Sequence, residues 1–349
     1  MKKIKIQGTQ IHDGEVSCIN LKTKMENIIN SSYKNVGGLI VLKNGKTLYE
    51  GYFNECTAAS TFHVFSVTKS IISILIGIAI DKGYIKNINQ KVLDFFPDYA
   101  VKKGEKTIQN VTLKDIMTMT APYKYNSAEC YEDFFASDNW VKSALDLLGG
   151  SGKIGEFRYT PLIGPDILSG ILVKATGQSV LDFAAKYLFS PLDIHVEGNI
   201  VFHDKEEQLA WYKERNASGW VSDRAGVNTA GWGLNLTLLS MAKIGQLYLD
   251  NGIWNDKQIV SPKWINESTK KHSICREWKL SYGYLWWIID DKEHSYAAMG
   301  DGGNVIYVNT KKKMVVAIAS FLTPQVNDRI RLIREYIEPM FENYNFNMK

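Results

Sequence analysis

The stretch Phe65-Ser66-Val67-Thr68-Lys69-Ser70, followed by the apolar run Ile71 to Ile80, decides how the rest of the 349-residue chain is read. A serine before a long apolar run suits a helix N-cap, and no proline or turn signal interrupts the run until Asp81-Lys82-Gly83. The pattern predicts a helix from Ser66 to Lys82. Ile71, Ile72, Ile74, Leu75, Ile76, Ile78 and Ile80 cover every side of it, so the helix belongs inside the core. Ser66 and Lys69 fall one turn apart on one face, a hydroxyl beside an amine. A lysine entering a buried helix loses solvation, which favours the neutral amine, a base. Backbone N–H groups at the helix start suit an oxyanion.

Spacing alone does not choose this pair. Ser-x-x-Lys also occurs at Ser31/Lys34, Ser240/Lys243 and Ser268/Lys271. The first and last of these lie in polar segments, and Ser240 falls inside an amphipathic helix. The plainer reading of Ser66 is an ordinary N-cap beside a solvated lysine, which a buried isoleucine helix disfavours.

Composition bounds the function. With 45% hydrophobic and 22% charged residues the chain reads as an ordinary globular protein of one large domain or two. Its net charge of +4 is spread without a basic block, which argues against nucleic acid and for a small-molecule or peptide-like substrate. Met1 to Gly8 carries lysines but no following apolar stretch of a signal peptide. The longest apolar run is too short to span a bilayer, so no membrane partner and a cytoplasmic location are expected. Cys18, Cys56, Cys130 and Cys275 are far apart and read as free thiols, and the six histidines form no ligand pair. Neither a metal nor a cofactor is implied, and the oligomeric state is left open.

Along the chain, Gly38 to Lys43 and Thr47 to Phe53 flank the hairpin signal Asn44-Gly45. After the central helix the text turns helical, notably Trp140 to Leu148 and Pro165 to Thr176, the latter ended by Gly177. Leu236 to Leu249 is a further helix with an Asn251-Gly252 stop. Strand patterns return at Tyr282 to Ile289, Ser295 to Met299, Asn304 to Val308 and Met314 to Phe321, and Val326 to Phe341 closes the chain as a helix. The predicted architecture is α+β: one antiparallel sheet built from both chain ends, flanked by helices, with an inserted, mostly helical subdomain. The expected division is 1–84 with 210–349 as the sheet unit and 85–209 as the helical unit, with the site in the cleft between them.

With Ser66-Val67-Thr68-Lys69 placed in this order of elements, the chain resembles the serine beta-lactamase and penicillin-binding protein superfamily. It is closest to the class C-like branch that includes esterases and 6-aminohexanoate-dimer hydrolases. The resemblance covers about Gly38 to Tyr336. It includes Lys91-Val92-Leu93-Asp94-Phe95-Phe96-Pro97, Leu113-Lys114-Asp115-Ile116-Met117-Thr118-Met119-Thr120 and Ala230-Gly231-Trp232-Gly233-Leu234-Asn235-Leu236-Thr237. It implies a beta-lactamase/transpeptidase-like fold and an acyl-enzyme on Ser66.

The branch's second motif, Tyr-x-Asn, matches Tyr159-Thr160-Pro161, which keeps the tyrosine and replaces the asparagine by Pro161. By resemblance Tyr159 shares proton transfer with Lys69. Ser137-Asp138-Asn139 spells the alternative Ser-Asp-Asn motif, but the text after it resembles a segment that precedes the tyrosine motif. The third motif fits Ala298-Met299-Gly300-Asp301-Gly302-Gly303. Here the resemblance implies an oxyanion hole from the Ser66 and Asp301 N–H groups, with Gly300 admitting substrate, but without the usual cation for a substrate carboxylate. Asp301 either turns away, as a turn residue, or binds a cationic group on the substrate. Trp232, Met299 and Gly302 are candidate pocket residues. Trp220, Trp286 and Trp287 are possible lining, with at least two of the four tryptophans expected in the core.

The resulting expectation is a serine hydrolase of esters or amides using Ser66, Lys69 and Tyr159. The alternatives are a true beta-lactamase or D-peptide hydrolase, and a catalytically weak binding or sensor protein on the same fold. The acyl and leaving groups are not legible.

Overall fold

The computed structural model describes residues 13–125 and 130–342. The Met1 to Gly8 segment and the side chains of Cys18 and Cys130 lie outside the described residues, whereas Cys56 and Cys275 are free thiols. Asn44 and Gly45 both adopt positive φ, +50° and +72°, the geometry of a tight hairpin turn. They join strands Val36–Lys43 and Lys46–Tyr52. The first of these pairs antiparallel with Met314–Ser320, Leu39 opposite Ile318, so the two ends of the chain meet inside one sheet.

That sheet has eight strands and is antiparallel throughout. From one edge its order is Lys46–Tyr52, Val36–Lys43, Met314–Ser320, Asn304–Asn309, Ser295–Gly300, Trp287–Asp290, Leu280–Tyr282 and Ser273–Cys275. The single strand expected at Tyr282 to Ile289 is two strands of a hairpin. Gly283 N–H donates to the Trp286 carbonyl at 2.8 Å and Leu285 turns the chain at φ +61°. Aromatic β-propensity concealed that turn. Ser273–Cys275 is an additional edge strand.

Both faces of the sheet are covered, which is why Met314–Ser320 is buried at every position. One face carries helix Asp13–Ser32 and the C-terminal helical run 329–341, packing Met25, Ile29, Leu332 and Ile337 against Leu39, Val316 and Ile318. This run starts at Asp328, whose carboxylate caps it, and not at Val326. The other face carries Leu238–Leu249 and the central helix. Leu236 belongs to a short strand that pairs with Thr61–His63.

The central helix spans Val67–Asp81, with Ser66 at its N-cap position and Lys82 at its C-cap. Its isoleucines from Ile71 to Ile78 are fully buried, each such burial contributing roughly 2 kcal/mol. Gly77 is explained by Trp264, whose indole occupies the space a Cβ would need. Between residues 85 and 209 the expected helices appear as Leu113–Met117, Trp140–Leu147 and Asp166–Thr176, the last closed by Gly177 at φ +67°. Val180–Ala184, running on as 185–189, and Lys205–Trp211 are further helices without a distinctive apolar period. Among the described residues no helix is long and apolar enough to cross a membrane.

Candidate active site

Ser66 occupies the N-cap position, but its hydroxyl makes no capping bond. Lys69 Nζ lies 2.9 Å from Ser66 Oγ, 2.7 Å from the Pro161 carbonyl and 2.7 Å from the Gly231 carbonyl. A charged amine would donate to all three. A neutral amine donates to the two carbonyls and presents its lone pair to the Ser66 hydroxyl, the arrangement of a base. The side chain is 1% exposed. Burial lowers its pKa to about 7, against the opposing pull of Asp301 and Asp166.

The other Ser-x-x-Lys pairs are engaged elsewhere. Ser31 Oγ donates to the Ile28 carbonyl, Ser240 Oγ bonds Thr237 Oγ1 while Lys243 donates to the Asp193 carbonyl, and Ser268 Oγ donates to the Ile265 carbonyl. Ser137-Asp138-Asn139 is a helix start: Asn139 caps Trp140–Leu147 and Asp138 pairs with Arg224.

Tyr159 is brought to the pair, its ring centroid 5.2 Å from Lys69 Nζ. Trp287 and Tyr282 pack on it at centroid distances of 5.5 and 6.4 Å. Trp278, 51% exposed, lies against it at 5.9 Å and gave no signal in the sequence. Burial raises the phenol above its ordinary pKa; a hydrogen bond with Ser66 works against that rise and the charge of Asp301 adds to it.

Strand Ser295–Gly300 ends beside Ser66. A Cβ on Gly300 would stand 3.1 Å from Ser66 N and 3.2 Å from Val67 N, and would strike the Val64 carbonyl. Only glycine therefore leaves space beside the Ser66 N–H. Immediately before Ser66, Phe65 adopts φ +46°, a conformation that costs a non-glycine residue roughly 1–2 kcal/mol and turns the chain sharply into the helix.

A cleft of about 740 Å³ opens over Ser66, lined by Phe65, Leu162, Tyr212, Trp232, Asp301 and Phe321 among others. Trp232 is thus in the cleft wall. Met299 and Gly302 are not among the lining residues: Met299 packs between the two cores and Gly302 turns the chain at φ +75°. Trp220 and Trp286 are fully buried core residues, and Trp287 backs Tyr159.

Two site residues escaped sequence reasoning. Asp166 is 2% exposed and accepts the Ala230 N–H at 2.7 Å, next to the Gly231 carbonyl that holds Lys69. Burial raises its carboxyl to about 7. Asn304 donates through Nδ2 to the carbonyls of Asp301, His63 and Ser320 and accepts the Ser320 N–H, tying the Asp301 turn to the segment that delivers Ser66. Neither belongs to a short motif. Among the described residues no group of three or more His, Cys, Asp or Glu is placed to hold a metal ion.

A family model described as Beta-lactamase matches residues 25–337. The chain belongs to the beta-lactamase family. Within this family it is 23% identical over 308 residues to a 6-aminohexanoate-dimer hydrolase of Paenarthrobacter ureafaciens, covering 82% of this chain and 72% of that protein. The fold is beta-lactamase/transpeptidase-like. It is similar to a family VIII carboxylesterase, with a TM-score of 0.68 at 14% identity, covering 96% of this chain and all of that one. It is also similar to the octameric penicillin-binding protein homologue of Pyrococcus abyssi, with a TM-score of 0.64 at 21% identity over 90% of this chain and 75% of that one. These hydrolase relatives support an enzyme of the beta-lactamase family.

Proposed function

We propose that this chain is a serine hydrolase that cleaves an ester or amide through an acyl-enzyme on Ser66. The observation that carries the reading is the Lys69 amine, buried, depressed to about 7 and 2.9 Å from the Ser66 hydroxyl. Lys69 takes the Ser66 proton as Ser66 Oγ bonds the carbonyl carbon. The Ser66 and Asp301 N–H groups hold the oxyanion in the space beside Gly300. Tyr159, whose raised pKa keeps its phenol protonated, is a donor, and passes the proton from Lys69 to the departing oxygen or nitrogen. Water then attacks the acyl carbon, Lys69 receives its proton, and Ser66 is regenerated.

The cleft wall draws on both predicted units, with Pro161 and Leu162 from 85–209 and Ser66, Trp232 and Asp301 from the remainder. This supports a site at their junction. The absence of a lysine or histidine at Ala298 supports an esterase or amidase over a beta-lactamase, since no cation there meets a lactam carboxylate.

Fluorophosphonate labelling and p-nitrophenyl ester hydrolysis test the reading together. Both are expected of the wild type and neither of Ser66→Ala; undiminished labelling of that variant removes Ser66 from its role. Faster turnover of nitrocefin than of any ester would favour a beta-lactamase. A stable acyl adduct by intact mass, without turnover, would favour a binding or sensor protein.

A further inference from the structure

At the end of the central helix remote from Ser66, a pocket of about 290 Å³ gathers three lysines and two aromatic rings. The helix C-cap supplies Lys82, the helical run 185–189 supplies Lys186 and Tyr187, and a hairpin supplies Trp254 and Lys257. That hairpin turns at Asn255-Asp256, with φ +47° and +61°, the geometry of a two-residue turn. It sets Trp254 directly opposite Lys257, so indole and amine share one face. Lys82 Nζ and Lys186 Nζ lie 4.4 and 4.9 Å from the centroid of the same Tyr187 ring, so the two ammoniums are at most about 9 Å apart, near one Debye length at physiological salt. Among the described residues none of the three lysines forms an ion pair, and no Asp or Glu lines the pocket. Asp81 and Asp256 are neighbours in sequence outside that lining, and the Asp81 carboxylate accepts the Ser261 N–H at 2.7 Å. The Tyr187 phenol registers the local field: a hydrogen bond with Tyr84, then Lys186 and Lys82, hold it below its ordinary pKa.

The carbonyl end of the central helix accounts for Lys82, since a cation there complements the helix dipole. It does not account for Lys186 and Lys257, which arrive from separate elements. Like charges collected around one concave site repel each other, and an anion seated among them removes that repulsion. Three ammoniums match a doubly charged phosphate group better than a single carboxylate. Lys82 and Lys186 already lie over Tyr187, whereas Trp254, half-buried, makes no ring contact among the described residues. Its indole is thus left for a planar group of the ligand. We infer that this pocket is a second binding site, for a small phosphate monoester carried on an aromatic ring system, such as a nucleoside monophosphate. The phosphate sits among Lys82, Lys186 and Lys257, and the ring lies against Trp254. The volume is at the small end of ligand sites, which suits one such molecule and not a polymer. Its occupancy is independent of the chemistry at Ser66, which stands about 22 Å away along the helix.

Isothermal titration of the purified protein at low salt with three probes tests this: 1-naphthyl phosphate, which has both parts of the ligand, inorganic phosphate and 1-naphthol. The wild type should bind naphthyl phosphate about tenfold or more tighter than either part alone, and the affinity should fall with added salt. Lys186→Gln and Lys257→Gln should each weaken that binding by about tenfold or more, as expected of a charged hydrogen bond. Both positions are exposed, and an unchanged circular dichroism melting curve shows that the variants remain folded. Trp254→Ala should bring naphthyl phosphate down to the affinity of inorganic phosphate, and Trp254→Phe, which keeps a ring in the hairpin, should retain most of the difference. Lys213→Gln removes an exposed cation from the cleft over Ser66 and should leave the affinity unchanged. Absence of naphthyl phosphate binding by the wild type, or wild-type affinity in both Lys186→Gln and Lys257→Gln, would overturn the inference. So would a loss seen only in Lys213→Gln, which would move the anion to the active-site cleft, or equal affinity for phosphate and naphthyl phosphate, which would leave no role for the ring.

Discussion

The Pro161 carbonyl oxygen lies 2.7 Å from Lys69 Nζ, at the residue that stands where the family's Tyr-x-Asn motif has its asparagine. A backbone carbonyl takes one amine proton here, and the Gly231 carbonyl, also at 2.7 Å, takes the second. Any residue has a carbonyl, and proline adds a fixed φ that holds it in place. The replacement therefore leaves Lys69 oriented on Ser66. What it removes is a side-chain amide that could contact the substrate.

The Lys69 base should show in the pH–rate profile. Hydrolysis should rise with pH along an acid limb near 7, where the buried amine loses its proton. Lys69→Met should lose that limb and about 10²- to 10⁴-fold in kcat/KM. Folding carries the same signature. The amine titrates at 10.5 when free and about 7 when folded, so between these values the unfolded chain binds the extra proton. The Lys69 contribution to stability thus rises with pH across that window and is lost as pH falls towards 7, with a slope of at most about 1.4 kcal/mol per pH unit. The unfolding free-energy difference between wild type and Lys69→Met, measured from pH 7 to 10, should follow that slope. A flat rate profile with a flat difference would show that Lys69 stays charged.

Asp166 is expected to tune that base through the field of its carboxylate. Asp166→Asn keeps an oxygen to accept the Ala230 N–H and removes a charge that raises Lys69. The acid limb should therefore move to lower pH. An unmoved limb would limit Asp166 to holding the Ala230 backbone.

How much of this was legible depends on the range of the signal. The central helix, the Asn44-Gly45 hairpin and the antiparallel sheet from both chain ends follow from local periodicity and turn chemistry, which act within a few residues. The proximity of Ser66 and Lys69 is equally local, being one helical turn. The hairpin inside Tyr282 to Ile289 was hidden because its turn is fixed by distant partners, the Ser268 and Met117 carbonyls that take the N–H groups of Tyr284 and Leu285. Asp166 reaches the site only through the Ala230 backbone, and Asn304 only through three carbonyls far apart in sequence. Bonds to backbone leave no residue-type pattern to read. Met299, placed by motif beside the site, points into packing because adjacent strand residues face opposite ways.

Asn304 is expected to be a positioning residue. Fully buried, it donates to Asp301, His63 and Ser320 carbonyls at 2.8, 3.2 and 3.2 Å. Asn304→Asp turns those donors into a carboxylate facing three carbonyl oxygens, which should destabilise the fold by about 2–4 kcal/mol. It should also lower kcat per active site, counted by fluorophosphonate titration, because the Asp301 turn loses its tie to the Ser66 segment. A wild-type kcat per labelled site would leave Asn304 a purely structural role.

Gly300→Ala tests the oxyanion space most directly. The backbone at Gly300, φ −133° and ψ 158°, is open to any L-residue, so alanine introduces no dihedral strain. The added methyl instead lies 3.1 Å from Ser66 N, within the distance at which an oxyanion would accept that N–H. It also presses on the Val64 carbonyl, two residues before Ser66. Both effects act on the tetrahedral intermediate more than on the bound ester. The expected result is a fall in kcat of about 10²- to 10³-fold with KM changing much less. Residual activity should keep the acid limb near 7, since Lys69 and its carbonyl partners are untouched. If Gly300→Ala hydrolyses esters at the wild-type kcat, the oxyanion is held elsewhere and the Ser66 N–H has no part in it.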